Sequence, residues 1–342
     1  MNAWSTTRHL PAEPKSRHFP IIYSTLCVER LRQVIQKQYG LADLLEFTFY
    51  CRGVSDTYAL YTPTRRYALK VYRTRWRSQQ SILGELAALR HVGAKGVEVA
   101  LPVARNDGDW ITTIAAPEGQ RCAVLFEWAD GQAPQYTNAD HMYRYGDLLA
   151  RLHAAGEDLP TDIARPHLDG TYLLERPMHQ IRRRLKHLPS IAAAVEALAD
   201  RTRAHLERAA PRLNDSAFCH GDIWSNNARI EGERLVLFDF DFCGTGWQLF
   251  DLATFRWHTR SVGVELAAWR PFIAAYLKVR PAAAESLRCL GLFMILRHLW
   301  TAAHTIGRLP ETGAYFLSEE DIENLVPFCE AIERTSPLDW TT

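Results

Sequence analysis

Apolar residues recur at helical spacing in Leu26, Val28, Leu31, Val34 and Ile35, which predicts a helix capped by Ser24 and stopped by Gly40. From Leu45 the period changes to two. Leu45, Phe47 and Phe49 alternate, Gly53 interrupts, and strand-like runs at 57–61 and 67–72 flank a turn at Pro63, so three short antiparallel strands are expected. Residues 81–92 return to helical spacing, with Ile82, Leu83, Leu86 and Leu89 on one face and Glu85 on its flank. Two further strand-like runs, 110–115 and 122–126, precede a break at Gly131 and Pro134. Beyond that break helical periods dominate, at 140–155, 172–187, 191–210, 264–278, 284–305 and 319–334. The pattern describes an α+β chain: a first lobe built on a sheet, a second built mainly of helices, and a Pro-bearing tail over residues 1–20.

The 342 residues are 47% hydrophobic, enough for a large core. Lysine and arginine number 40 against 39 acidic residues, a net charge of +1 that points to neither nucleic acid nor an anionic membrane. The apolar run 290–296 is cut by Arg297 and His298, far short of the roughly 18 to 20 residues of a membrane span. The N-terminus lacks the apolar core of a secretion signal, so a cytoplasmic protein is expected. Seven scattered cysteines without a Cys-x-x-Cys pair read as reduced thiols, and the 13 histidines show no zinc-site spacing.

The chemistry concentrates in two segments. Residues 218–228 read Phe-Cys-His-Gly-Asp-Ile-Trp-Ser-Asn-Asn-Ala, with Asn227 five residues after Asp222; an apolar run from Leu235 then ends in Asp239 and Asp241. Phosphoryl transfer needs an acceptor for the substrate hydroxyl's proton and oxygen ligands for Mg²⁺ beside the phosphates, and these segments offer both. Upstream, Tyr67-Ala-Leu-Lys70-Val sets a lysine in a predicted strand, and Glu85 on the next helix offers it a partner. Residues 51–57, Cys-Arg-Gly-Val-Ser-Asp-Thr, join the first two strands with a single glycine. There Ser55 and backbone N–H groups can meet a phosphate, or the segment is an ordinary hairpin turn. Asn226 reads as a loop residue, Asp241 as either a second metal ligand or a hydrogen-bonding group, and the basic run 182–186 as a solvated helix face.

In these motifs the chain resembles the aminoglycoside phosphotransferase and choline kinase-like superfamily, distant relatives of protein kinases. The resemblance spans residues 45 to 255. It implies a bilobal protein-kinase-like α+β fold: an N-lobe (21–126) whose antiparallel sheet and helix cover the nucleotide, a hinge (127–131), and a helical C-lobe (132–342) with the catalytic loop and acceptor site. It further implies that Asp222 is the catalytic base, that Asn227 and Asp239 bind Mg²⁺, and that Lys70, held by Glu85, meets the phosphates of ATP. The Glu127 carbonyl and Ala129 N–H then face the adenine edge, and Asp251 braces the catalytic loop. His153, in the Gly146–His153 helix motif, takes a structural place.

Asp251 follows Asp239 by only 12 positions, too few for a peptide-binding activation segment. The expected acceptor is therefore a small-molecule hydroxyl, on an amino alcohol, a homoserine-like compound or a sugar. Two alternatives stand beside it: a Ser/Thr protein kinase of the bacterial stress-response type, and a nucleotide-binding pseudokinase. The joint presence of Lys70, Glu85, Asp222, Asn227 and Asp239 speaks against the second. The helices beyond residue 255 are expected to form the acceptor side, with Trp247, Trp257, Trp300, Arg256, His258, Arg297 and His304 either lining it or serving packing and solvation.

Overall fold

The computed structural model describes residues 19–160, 162–213, 216–313 and 317–338; residues 1–18 of the expected tail lie outside them. The chain divides into two compact units, one formed by the residues up to 79 with 102–128, the other by 80–101 with 129–342.

In order along the chain run α1 (Val28–Tyr39), β1 (Glu46–Arg52), β2 (Asp56–Tyr61), β3 (Arg66–Val71), α2 (Gln79–Ala94), β4 (Pro102–Val103), β5 (Thr112–Ala116) and β6 (Gly119–Glu127). The strands of the first unit form one antiparallel sheet of order β1-β2-β3-β6-β4, with β5 also on β6. Its core follows the two periods read from the sequence. Leu31, Ile35 and Tyr39 of α1 meet Tyr58, Leu60, Leu69, Val71 and Leu125, alternate residues of the strands. Gly40 ends α1 at φ 66°, as expected, but Ser24 is not its cap: the helix begins after Cys27, and the Ser24 hydroxyl donates to Glu118 at 2.7 Å.

The second unit adds α3 (Ala139–Ala155), β7 (His167–Leu168), α4 (Arg176–Arg184), α5 (Pro189–Ala209), β8 (Ser216–Cys219), β9 (Ala228–Glu231), β10 (Arg234–Leu237) and β11 (Gly244–Trp247). It closes with α6 (Leu249–Ser261), α7 (Glu265–Val279), α8 (Ala283–Ser286), α9 (Leu290–Thr312), α10 (Glu319–Glu323) and α11 (Leu325–Thr335). Residues 80–101, which the sequence reading counted within the N-lobe, group with this unit. The backbone after α2 is stitched to β10: Leu237 N donates to Glu98 O at 3.0 Å and Ala100 N to Leu237 O at 2.9 Å. Helix α3 lies so close to α7 that a Cβ at Gly146 would come within 2.0 Å of the Phe272 carbonyl oxygen, which is why the helix motif carries glycine there. The predicted helix 284–305 is two, α8 and α9, joined by a 3-10 turn at Leu287–Cys289. Among the described residues no helix is long and apolar enough to cross a membrane.

Candidate active site

Two small strand pairings of the second unit set the site. Strand β8 leads into the loop 220–227, and β9 and β10 form an antiparallel hairpin with Ala228 opposite Leu237. Asn227 just precedes that hairpin and Phe238 just follows it, so they are neighbours, with Phe238 N donating to Asn227 O at 3.0 Å. Thus the hairpin carries Asp239 to the strand end beside Asn227. Asp239 has φ 62°, a left-handed conformation costing a non-glycine residue of order 1–3 kcal/mol, a strain that clusters at functional sites.

The Asp222 carboxylate is held on both oxygens. Asn227 Nδ2 donates to Oδ2 at 3.0 Å and to the Asp222 carbonyl at 2.9 Å, while Arg297 Nη2 donates to Oδ1 at 2.6 Å. The loop beneath is fixed from the buried side. Asp251 accepts from His220 N and Gly221 N, each at 2.7 Å, and His153 bridges Asp251 (3.0 Å) to the Tyr276 hydroxyl (2.7 Å). Asp251 and His153 therefore hold the bracing and structural places expected of them. His220 ties the loop to the other segment, with Nε2 3.0 Å from Phe238 O while Nδ1 accepts from Asp222 N at 3.3 Å. Gly221 has φ 81°, and a Cβ there would stand 2.2 Å from Phe242 O; only glycine lets the two segments approach this closely.

Glu85 is buried on α2 with Arg165 Nη1 3.6 Å from its carboxylate. The same guanidinium donates to the carbonyls of Ser81 (3.3 Å), Phe240 (3.2 Å), Asp241 (2.7 Å) and Cys243 (2.9 Å). One arginine thereby connects α2 to the segment after Asp239. No sequence motif marked it. Asp241 is buried, and Asn226 is exposed, as expected of a loop residue.

Lys70, Ser55 and Glu127 belong to the first unit. Lys70 lies in β3 opposite Thr57, buried, with its ammonium 5.1 Å from the Tyr72 ring centroid. Ser55 stands in the three-residue link between β1 and β2, where Gly53 N donates to its carbonyl at 3.0 Å. Its hydroxyl is buried with no hydrogen-bond partner among the described residues. Glu127 ends β6 opposite Tyr67, and Ala129 is the first residue of the second unit after the crossing.

Around Asp222 the walls are aromatic. The Arg297 guanidinium carbon lies 5.0 Å and 5.5 Å from the ring centroids of Trp300 and Trp257. His258 packs on Tyr136, Trp224 and Trp257; burial, and after it the Arg297 charge, lowers its pKa. Burial alone pushes His298 down to about 4, and its Nδ1 accepts from Trp257 Nε1 at 3.2 Å. The sequence marks Arg297 as a break in an apolar run and as one of several residues that either line the acceptor side or serve packing and solvation, without pairing it to Asp222. A charge placed inside an otherwise buried helix was the signal that could have singled it out.

The chain is similar to known proteins. The profile of the phosphotransferase enzyme family matches residues 47–288. An uncharacterized protein of Deinococcus radiodurans is 37% identical over 90% of this chain and 90% of its own length. A homoserine kinase of Mesorhizobium japonicum is 30% identical over 75% of this chain and 78% of its own. Among solved structures, an amicoumacin kinase in complex with AMP-PNP and Ca²⁺ superposes with TM-score 0.71 at 20% identity, covering 91% of this chain and 95% of that one. A microcompartment-associated aminopropanol kinase gives 0.68 at 22%, covering 89% and 95%. These likenesses show the protein-kinase-like α+β fold expected from the motifs. With a profile match over most of its length and a relative 30% identical over three quarters of it, the chain belongs to the phosphotransferase enzyme family, kinases that phosphorylate a hydroxyl group.

Proposed function

We propose that the protein transfers the γ-phosphoryl group of ATP to a hydroxyl of a small molecule, an amino alcohol, a homoserine-like compound or a sugar. Asp222 takes the acceptor proton as the new O–P bond forms and the bond to the ADP oxygen breaks. Lys70, positioned by an ion pair with Glu85, meets the phosphates together with Ser55, whose buried hydroxyl has no partner among the described residues and suits a ligand oxygen. The Glu127 carbonyl and Ala129 N–H read the adenine edge. Asn227 and Asp239 fit a Mg²⁺ ion: Asn227 spends its amide nitrogen on Asp222, which leaves its oxygen to a cation, and Asp239 adds a carboxylate. When bound, the ion neutralises charge on the phosphate oxygens.

The observation that carries this reading is the clamp of Asn227 on Asp222 at the mouth of the hairpin that also bears Asp239. The small acceptor is supported by the 12-residue interval to Asp251 and by the names of the relatives, homoserine kinase and aminopropanol kinase. The test is ADP release from ATP and Mg²⁺ with L-homoserine, 1-amino-2-propanol, choline, an aminoglycoside and casein. Turnover with one small hydroxyl compound, abolished by chelator, is expected. Turnover with casein alone would mean a protein kinase, and ADP release unaffected by any acceptor would defeat the reading.

A further inference from the structure

Helix α9 buries every residue from Leu290 to Leu296 and then, in the same apolar environment, a guanidinium: Arg297 is only 6% exposed. A charge is kept in such a place only by close partners. Both hydrogen-bond partners of this one lie in the catalytic loop. Nη1 donates to the Gly221 carbonyl at 2.9 Å and Nη2 to Asp222 Oδ1 at 2.6 Å, while Nε is buried with no hydrogen-bond partner among the described residues. The side chain is thus not placed where all its donors are satisfied. It is placed where two of them reach the carboxylate and the peptide before it.

The N–H groups of the loop are held without this arginine. Asp251 already takes the N–H groups of His220 and Gly221, and His220 is tied to Phe238. What Arg297 adds, besides a donor for the Gly221 carbonyl, is at the Asp222 side chain. Asn227 occupies one lone pair of Oδ2 and Arg297 one of Oδ1, so the carboxylate is held from both sides before any acceptor arrives, and each oxygen retains a further lone pair. Trp257 and Trp300 face the guanidinium and keep its planar fork from turning away.

We propose that Arg297 is a positioning residue for the phosphoryl transfer, acting through Asp222 by fixing the direction in which its carboxylate receives the acceptor hydroxyl. This rests on the reading of Asp222 as the base. A lysine there keeps the charge but loses the fork, and a methionine fills the slot between the tryptophans without either hydrogen bond.

The test is a double-mutant cycle on Arg297→Met and Asp222→Ala, with Arg297→Lys beside it, reading ADP release with L-homoserine, 1-amino-2-propanol and choline, and with water alone as the slow acceptor. Nucleotide affinity is titrated for each protein. Arg297→Met is expected to lower kcat ~10²-fold, the scale of a misdirected reacting group, with ATP affinity within about twofold of the wild type. Arg297→Lys should fall between. Because Arg297 acts through Asp222, Arg297→Met should cost nothing further in the Asp222→Ala background. Guanidinium ion at low concentration should restore part of the kcat of Arg297→Ala, and sodium chloride of equal ionic strength should not. Full activity of Arg297→Met, a loss of ATP affinity in step with kcat, or additive losses in the double variant would each overturn the proposal. If Asp222→Ala itself is as active as the wild type, it is the base assignment that fails.

Discussion

Each unit of the molecule buries an arginine against a carboxylate, and the two are built differently. In the first unit Arg121, 1% exposed, donates from all three nitrogens: to the carbonyls of Tyr72, Ser24 and Val71 (3.0, 3.0 and 3.1 Å), to the Tyr23 hydroxyl (3.2 Å) and to Asp56 (3.1 Å). Asp56 is fully buried with it. In the second unit Arg297 has, among the described residues, two hydrogen bonds, an idle Nε and a carboxylate partner whose side chain is still 19% exposed. A saturated guanidinium facing a sealed carboxylate joins chain segments to one another. A partly satisfied one facing an accessible carboxylate leaves that carboxylate able to receive something else, and the contrast separates a stabilising ion pair from one belonging to the chemistry.

The contrast can be broken most sharply at the carboxylates. Asp222→Ala should lower turnover by roughly 10² to 10⁴-fold while ATP binding, measured by titration, stays near that of the wild type, because the contacts assigned to Asp222 are with the acceptor. Equal turnover in the two proteins would remove Asp222 from the reaction and with it the distinction drawn here. Next in size is Arg121→Met, which leaves Asp56 only its 3.1 Å pair with Arg52 and takes a donor from the carbonyls of Ser24, Val71 and Tyr72, and should cost about 3–5 kcal/mol of stability. Calorimetry should show a much lower Tm, while turnover per folded molecule well below that Tm holds; a rate loss without a Tm loss would put Arg121 on the wrong side of the comparison.

A smaller effect concerns the surroundings of Arg297. His298 titrates at about 4 in the folded chain against 6.5 when unfolded. Its folded value is depressed, so the unfolded state takes up this proton first, and stability is lost as pH falls from 6.5 toward about 4. His298→Phe, which keeps the stack on Phe328, should flatten the fall of Tm in that window; an unchanged slope would mean that His298 is already protonated in the folded state. The smallest effect belongs to an arginine of the basic run. Arg182 meets Glu196 at 2.6 and 2.9 Å, with both side chains about two-fifths exposed, so Glu196→Gln should change stability by about 1 kcal/mol or less, and by less still in high salt.

Much of the fold was legible because α1, the first sheet and the longer helices have faces wide enough for their period to show. The strands β7 to β11 are two to four residues each, shorter than any periodic signal, and they were missed apart from the apolar run at Leu235. Helix α6 was missed for another reason: eight of its residues, from Leu249 to Thr259, are buried, which leaves no polar face to mark a period. Within the site, Asp222, Asn227, Asp239 and Asp251 could be named because they stand at fixed intervals on one continuous stretch. Arg165 and Arg297 stand at no such interval, 57 residues before and 75 after Asp222.

The sequence by itself determined the class of chemistry and the groups proposed to perform it, because the motifs that carry the family resemblance lie on one continuous stretch of chain. Tertiary structure alone decided which cations reach those groups. A buried charge finds its partner by packing between elements far apart in the chain, and the helical period of α9 shows only that Arg297 lies on an apolar helix, not that its fork closes on Asp222.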